Sequence, residues 1–385
     1  EKQPSFATIN GSVVSGCDAR AAGDGAYLHT GDGAALWYKI SGSRAGPFLF
    51  YLHGGPGYNS YAFEKAAGPF LESRFQMVYF DQRGSGRSRF SGLEKELGIN
   101  PTVEDIERLR KHLGLKTIGL IGHSFGGFIA LEYIKRYPAR VDRLVLVETT
   151  GDLNAALRYQ VDFLADGGPL FFPAHAGQLR RLAGNNESPF RKIMSAYSML
   201  SRLPLKRRLH YATDAGQKRN EELDEESGLF QCDSSLVVQK YFKEGYLESS
   251  HPELMDPIPV PAILFAGRYS HVIGSENLKA AANKWNVPVR WFENSGHFIY
   301  VEEPKAFADA VAAVETTIEQ IGSEATKPLV LRLMQLLLRV DKGDALRLAA
   351  LAHEIAGRAR AKYESNGVGD GLECQREREY LDIEI

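Results

Sequence analysis

The chain has few cysteines, no long apolar run and almost no net charge. Its three cysteines, Cys17, Cys232 and Cys374, are too widely spaced for a metal site or a disulfide framework. We therefore expect three unpaired thiols in a reducing compartment. No stretch reaches the ~18 apolar residues of a membrane span. The net charge of −2 among 385 residues gives no electrostatic reason for binding nucleic acid.

An apolar signal core is also missing from the start of the chain. The first residues, Glu1-Lys2-Gln3, contain neither such a core nor an initiator methionine. This favours a cytoplasmic location. A trimmed or mature chain would begin in the same way, so the compartment stays open.

Short apolar runs that alternate with helical patterns predict the fold. The runs that read as buried strands are Pro47–Leu52, Phe75–Phe80, Ile118–Ile121, Val141–Val147, Ala262–Ala266 and Val289–Phe292. Two shorter strands, Ala26–Leu28 and Leu36–Ile40, precede them. The alternation predicts an α/β fold with a mostly parallel twisted sheet and helices on both faces. Sites in such sheets lie at the carboxyl ends of the strands, and the chain has His53, Asp81, Ser124 and Glu148 at such ends.

The same alternation of strand and helix patterns divides the chain into segments. We predict an N-terminal lead-in (1–25) and a core (26–150 and 260–320). Residues 151–259 lack the alternating strand pattern and are predicted to form a helical cap inserted into the core. Residues 321–385 predict a helical hairpin followed by a flexible tail, which would suit docking on the core or self-association into a homo-oligomer.

The segment Gly122-His123-Ser124-Phe125-Gly126 joins a strand pattern to a helix pattern. Strand, Gly-x-Ser-x-Gly and helix in that order predict a nucleophile elbow, which presents a serine hydroxyl above the sheet. A serine hydroxyl needs a base to become a nucleophile. His297 is the expected base, because it follows the last core strand and comes after the serine in the chain. The Phe125 amide is the expected oxyanion donor next to it.

Four segments carry a family resemblance: H-G-G-P-G (53–57), D-Q-R-G-S-G-R-S (81–88), G-H-S-F-G-G (122–127) and S-G-H-F (295–298). Over roughly residues 25–320 they resemble the α/β-hydrolase superfamily, with the proline iminopeptidase-like branch as the nearest match. The resemblance implies a serine hydrolase that works through an acyl-enzyme, on a small-molecule or short-peptide substrate. It implies no metal and no organic cofactor. It also assigns the second oxyanion donor to the Gly55 amide.

Three further residues near these motifs have supporting roles in our interpretation. His123 is expected to pack beside the nucleophile, and His53 to orient its own loop by hydrogen bonds. Asp81 is expected to pair with an arginine within the 81–88 turn. None of the three is expected to transfer a proton.

The acid that should orient His297 is missing from its usual place. In relatives, the loop after the Ala262–Ala266 strand carries an Asp where this chain has Ser270. Loss of that charge costs on the order of 10⁴ in kcat in a serine triad. Three explanations are open: the acid has moved to Glu148, Ser270 is an engineered replacement, or the protein works slowly or only binds. We predict Glu148, with its carboxylate within ~3.2 Å of His297 Nδ1.

The substrate is less well defined. Relatives that remove N-terminal proline hold the substrate amine with acidic cap groups, often a Trp-Glu pair, and this cap contains no tryptophan. Its carboxylates include Glu221, Glu222, Glu244 and Glu248, and no pattern selects one of them. An aminopeptidase with a preference for proline is the first interpretation. An esterase, lactonase or other carbonyl hydrolase is the second, and a catalytically impaired binding protein is the third.

Overall fold

The structure is a computed structural model that describes residues 13–15, 24–200, 205–229, 232, 234–247 and 249–321. The chain divides into two units, Glu1–Glu315 and Thr316–Ile385. The described elements belong to the first unit, apart from the end of the last helix. Most of the predicted lead-in (1–25) and nearly all of the predicted tail (321–385) lie outside the described residues. The predicted hairpin, flexible tail and self-association therefore stay predictions.

One sheet of ten strands forms the centre of the molecule. The strands are β1 (Val13–Ser15), β2 (Ala26–His29), β3 (Ala34–Gly42), β4 (Phe48–Leu52), β5 (Gln76–Phe80), β6 (Arg89–Gly92), β7 (Ile118–His123), β8 (Val141–Val147), β9 (Ala262–Gly267) and β10 (Val289–Phe292). They lie in the order β1-β6-β3-β5-β4-β7-β8-β9-β10, with β2 paired to β3. Neighbours from β5 to β10 are parallel, whereas β1, β2, β3 and β6 pair antiparallel. The predicted α/β class with a mostly parallel sheet is confirmed.

The apolar runs form the central strands because both faces of the sheet are covered. Every residue of β7 and β9 is buried, and continuous apolar sequence is typical of such strands. The two strands absent from the prediction, β1 and β6, are short and lie at the antiparallel side. The β6 sequence R-F-S-G contains one apolar residue, so it lacks the run that identified the others.

Four helices follow in the first half of the core: α1 (Tyr61–Ala66), α2 (Gly68–Leu71), α3 (Ile99–His112) and α4 (Phe125–Arg136). Apolar residues recur at helical spacing over Val103–Leu113, and α3 includes all of this stretch except its last residue. It buries Val103, Ile106 and Leu109 in the main apolar cluster. These residues are three positions apart, which places them on one side of a helix. The last turn of α3 is basic, as suits the negative end of the helix dipole.

Between β8 and β9 the described residues form helices and no strand. They are α5 (Leu153–Phe171), α6 (Ala176–Gly184), α7 (Pro189–Met199), α8 (Leu205–His210), α9 (Asp214–Ser227) and α10 (Ser235–Lys243). We call residues 151–259 the cap. It has an apolar cluster of its own that includes Leu164, Leu179 and Leu200. Asp152, Ser188 and Thr213 cap α5, α7 and α9 through their side chains.

The core closes with α11 (Ser275–Trp285), α12 (Ile299–Glu302) and α13 (Pro304–Ile321). The sequence pattern over Pro304–Ile318 predicts an amphipathic helix, and Phe307, Val311 and Val314 are buried along α13. No helix in the described part of the chain has the length and apolar character needed to cross a membrane.

The expectation of three unpaired thiols is wrong. Cys232 is disulfide-bonded, and its partner lies outside the described residues. Spacing along the chain does not report distance in the fold, so cysteines far apart in sequence can still meet. Because disulfides persist mainly in oxidising compartments, this bond removes the support that free thiols lent to a cytoplasmic location.

Candidate active site

Ser124 stands at a sharp turn between β7 and α4. Its backbone has φ 53° and ψ −123°, a conformation that costs energy for a residue with a side chain. Steric fit explains the flanking glycines. A Cβ on Gly122 would lie 2.7 Å from Gly127 Cα, and one on Gly126 would lie 2.1 Å from the Leu52 carbonyl oxygen. The sequence therefore forms the predicted elbow, with strand and helix in close contact on both sides of Ser124.

His297 and Glu148 meet behind the elbow. His297 Nδ1 lies 3.3 Å from Glu148 Oε2, marginally longer than the predicted ~3.2 Å limit. Both side chains are buried, with exposures of 4% and 0%. The Gly267 N–H donates to the other carboxylate oxygen at 2.6 Å. Glu148 also has φ 49°, so two of the three predicted catalytic residues have a left-handed backbone that favours glycine.

Burial shifts both members of this pair away from their charged forms. It raises the pKa of Glu148 to about 8, although the Ser270 hydroxyl and the Gly267 N–H oppose the shift. It lowers the pKa of His297 to about 3. Ser270 is itself buried, and its Oγ makes no hydrogen bond of normal geometry in the part of the chain that the structure describes. It is near enough to the Glu148 carboxylate to lower the pKa of that group, and it occupies the loop position where the family resemblance predicts an acid.

Ser124 and His297, the predicted nucleophile and base, lie in neighbouring segments without a direct hydrogen bond. The His297 ring lies 4.8 Å from the ring of His123, the residue before Ser124. Among the described residues, no hydrogen bond joins the Ser124 hydroxyl to His297. In free hydrolases this contact is commonly long and tightens when substrate binds.

The two predicted oxyanion donors belong to segments that adjoin Ser124. Phe125 is the first residue of α4, and its N–H is one of the unpaired amides of a helix N-terminus. Gly54 packs so closely that a Cβ there would lie 2.9 Å from Ser124 Cβ, and Gly55 follows with φ 117°. Within the described ranges, neither the Phe125 N–H nor the Gly55 N–H donates to another protein group. Both amides are therefore available to a substrate.

Three surrounding residues have structural contacts. His53 Nε2 accepts from the Gln82 N–H at 3.0 Å, which orients its loop as predicted. Asp81 accepts from Arg87 Nε at 2.8 Å, and this confirms the predicted pairing within the 81–88 turn. His123 does more than pack, because its Nε2 donates to the His297 carbonyl at 2.9 Å. Burial keeps the pKa of His123 well below its usual value, so this ring is neutral.

One cap carboxylate extends toward the site in a way that sequence patterns did not reveal. Asp224 on α9 accepts from the Tyr58 hydroxyl and from Asn220 Nδ2. Tyr58 follows the Gly55 loop, and its ring lies 6.4 Å from Phe298, the residue after His297. By its charge alone, the run Glu221–Glu226 predicts a solvated helix face or loop. The buried residues of α9, Gly216, Asn220 and Leu223, recur at helical spacing and mark the side on which Asp224 lies.

The comparisons with known proteins identify the fold family of the chain. A family model for the alpha/beta hydrolase fold matches residues 47–304. A proline iminopeptidase of Lactobacillus helveticus is 26% identical over 301 residues, which cover 75% of this chain and 95% of that protein. The "Probable proline iminopeptidase" of Streptomyces coelicolor is 32% identical over 184 residues, 45% of this chain and 55% of that protein. This chain thus spans about half the length of the Streptomyces relative.

Solved structures give the same result for the fold. A proline iminopeptidase-related protein from Thermus thermophilus superposes with a TM-score of 0.60 and 25% identity, covering 76% of this chain and 97% of that one. An esterase from Exiguobacterium antarcticum has a TM-score of 0.53 at 19% identity, covering 76% and 99%. Together with the family match, which spans more than half of the sequence, they show that the chain belongs to the alpha/beta hydrolase fold family.

Proposed function

We propose that the chain is a serine hydrolase that works by two-step acyl transfer. Ser124 is the nucleophile, His297 the general base and Glu148 the acid that orients it. The observation that supports this most is the 3.3 Å contact between His297 Nδ1 and Glu148 Oε2, next to a serine held at positive φ. A base oriented by a third group is the arrangement that activates a serine hydroxyl.

The first step forms an acyl-enzyme. Ser124 Oγ attacks the substrate carbonyl carbon while His297 Nε2 accepts the hydroxyl proton. Glu148 accepts a hydrogen bond from Nδ1–H and stabilises the imidazolium that forms. The amides of Phe125 and Gly55 bind the oxyanion. His297 then gives its proton to the leaving group as the carbonyl re-forms, and a water molecule, deprotonated by the same ring, releases the acyl group and restores Ser124.

Glu148 can take the place of the missing Asp because of where the sheet brings it. β8 lies beside β9, so a residue just after β8 and a residue in the loop after β9 face the same space. The Glu148 carboxylate is already fixed by the Gly267 N–H of that neighbouring loop. A serine at position 270 leaves room for the longer side chain and offers it a hydroxyl.

For the substrate, we propose a short peptide or arylamide with a free N-terminal residue, with proline preferred. The named iminopeptidase relatives support this class. Such a substrate carries a cationic amine, which needs a partner of opposite charge. Asp224 is the cap carboxylate that suits this role, because Tyr58 and Asn220 hold it on the side of the cap facing the Gly55 loop. An ester or lactone substrate would not need Asp224.

Two assays test the proposal. A fluorophosphonate is expected to label Ser124 in the folded protein, and no labelling would instead favour a binding protein. A proline arylamide is expected to turn over faster than short acyl esters. Good ester turnover without arylamide turnover would refute the peptidase assignment.

A matched pair of cap variants tests the amine site. D224N is expected to raise KM for the arylamide about 10- to 100-fold, the range for one charge-assisted hydrogen bond, with ester KM unchanged. E222Q, on the exposed side of the same helix, is the control and is expected to leave both values unchanged. Equal effects of D224N on the amide and the ester would remove Asp224 from substrate recognition.

A further inference from the structure

Glu302 joins two parts of the molecule that are far apart in sequence. It is the last residue of α12. Its Oε2 accepts from the Gly296 N–H at 2.7 Å, in the loop that carries His297. Its Oε1 accepts from two cap amides, Ala212 N–H at 3.0 Å and Thr213 N–H at 2.9 Å. One carboxylate therefore holds the residue before His297 and the start of α9 at the same time.

Backbone hydrogen bonds also join the histidine loop, and the loop after β9, to the same part of the cap. The His297 N–H donates to the carbonyl of His210 in the cap at 2.6 Å, and the His271 N–H donates to the Leu209 carbonyl at 2.9 Å. His297 is thus tied to the cap by its own amide and, through Gly296, by Glu302. The position of the base depends on cap residues 209–213, which we call the cap strap.

Two glycines allow this close approach. A Cβ on Gly216 would lie 2.4 Å from Glu302 Oε1, and a Cβ on Gly296 would lie 2.3 Å from the His210 carbonyl oxygen. Thr213 adds a hydroxyl donor to Glu302 at 3.1 Å. The carboxylate also lies at the N-terminus of α9, where negative charge is favourable. Glycines thus stand at the two positions where a side chain would block the contact between Glu302, the cap and the histidine loop.

The adjacent Glu303 provides a contrast. It also supports the histidine loop, since it accepts from the Asn294 N–H at 3.1 Å and from Ser295 Oγ at 2.6 Å. No hydrogen bond joins it to the cap among the described residues. Glu303 thus supports the histidine loop from the core alone, whereas Glu302 also bonds that loop to the cap.

We propose that Glu302 is a positioning residue that couples the cap strap to the base, so that His297 is correctly placed only while the cap is docked. This inference rests on the proposed role of His297. It follows that a cap displaced at the strap leaves Ser124 without its base. Substrate that fills the space under the cap and keeps the strap docked would then also keep the catalytic pair aligned.

The test uses the full chain and does not require the substrate to be known. The rate of fluorophosphonate labelling at Ser124 is measured for the wild type, E302Q and E293Q. In E302Q the neutral amide presents an N–H₂ group to one of the two sets of backbone donors. We expect labelling to slow about 10- to 100-fold, as for other groups that orient a catalytic residue. Glu293 is exposed and pairs with Arg268 at the surface, so E293Q is expected to label at the wild-type rate.

Hydrogen exchange separates positioning from simple destabilisation. In E302Q, peptides with Ala212–Thr213 and with Gly296–His297 are both expected to exchange faster, while peptides from β7 keep wild-type protection. Wild-type labelling by E302Q would overturn the proposal. An unlabelled wild type would instead refute the proposed function.

The wild-type protein provides a test that needs no folded variant. Because one carboxylate holds all three amides, Gly296, Ala212 and Thr213 are expected to exchange at closely similar opening free energies when resolved to single residues. A difference in protection of more than tenfold between Gly296 and the two cap amides would show that the loop and the strap open independently, and would refute the coupling.

Discussion

Replacing Glu148 with glutamine tests the proposed acid most directly. The change removes a negative charge with almost no change in shape. Burial lowers the pKa of His297 from 6.5 to about 3, so protonating this ring costs about 5 kcal/mol more than in water, at 1.36 kcal/mol for each pKa unit. The reaction must form that imidazolium. An anionic Glu148 at 3.3 Å is the group that offsets the cost.

Without the anionic Glu148, the free-energy cost of forming the imidazolium is added to the activation free energy. We expect kcat of E148Q to fall about 10³- to 10⁴-fold, with KM nearly unchanged, because Glu148 is buried behind His297 and is not expected to touch substrate. The estimate agrees with the loss on the order of 10⁴ seen when a triad loses its charge. The assay is steady-state turnover of the best ester or arylamide, together with the fluorophosphonate labelling rate.

The control for this experiment is E276Q. Glu276 is an exposed carboxylate that pairs with Lys279 on the surface of α11, so its loss should leave kcat at the wild-type value. Circular dichroism establishes that both variants are folded. If kcat of folded E148Q falls less than tenfold, Glu148 is not the triad acid. The serine at position 270 would then mean that the chain lacks the acid and the catalytic power that it supplies.

Further predictions concern the buried pair and the glycine that follows Phe125 at the elbow. In the proposed mechanism Glu148 acts in its ionised form. Because burial raises its pKa to about 8, kcat/KM is expected to rise with pH toward a plateau above that value, and E148Q should not show this rise. S270D would place a second carboxylate beside Glu148 and raise its pKa further, so we expect lower activity at pH 7; a thousandfold gain would show that position 270 is the true acid site. The pKa of Glu148 is higher in the folded protein than in the unfolded chain, so ionisation of this carboxyl favours unfolding. Its contribution to the unfolding free energy is therefore fully present below pH 4.5 and is lost as the pH rises through about 8. Urea unfolding at pH 9 should therefore find E148Q more stable than the wild type by up to about 5 kcal/mol, with the difference vanishing below pH 4.5. G126A, whose Cβ would meet the Leu52 carbonyl, should lose about 2 kcal/mol or more of unfolding free energy, whereas G184A, with open space around it, should not.

Local patterns in the sequence predicted most of the core. Strands β8 and β10 have the bounds expected from their apolar runs, and β4, β5, β7 and β9 differ by a residue or two at their ends. Helical limits were harder to predict. The sequence pattern predicts cap helices over Leu153–Leu164 and Ser235–Leu247. In the structure, α5 continues to Phe171 through Pro169, and α10 ends at Lys243. Apolar periodicity reports which residues are buried, but packing against neighbours decides where a helix ends.

The sequence by itself determined the turn at Ser124 between a strand and a helix, and it placed His297, the proposed base, in the loop after the last core strand. The order of strand, turn and helix is a pattern of residues close in the chain, so a local motif is enough to predict it. Only the tertiary structure decided which carboxylate lies behind His297, that Asp224 turns toward Tyr58, that Cys232 is in a disulfide, and that Glu302 joins the histidine loop to the cap. Each of these depends on the approach of segments far apart in sequence, because sheet order and cap docking set the distances between such segments, and no local pattern records them.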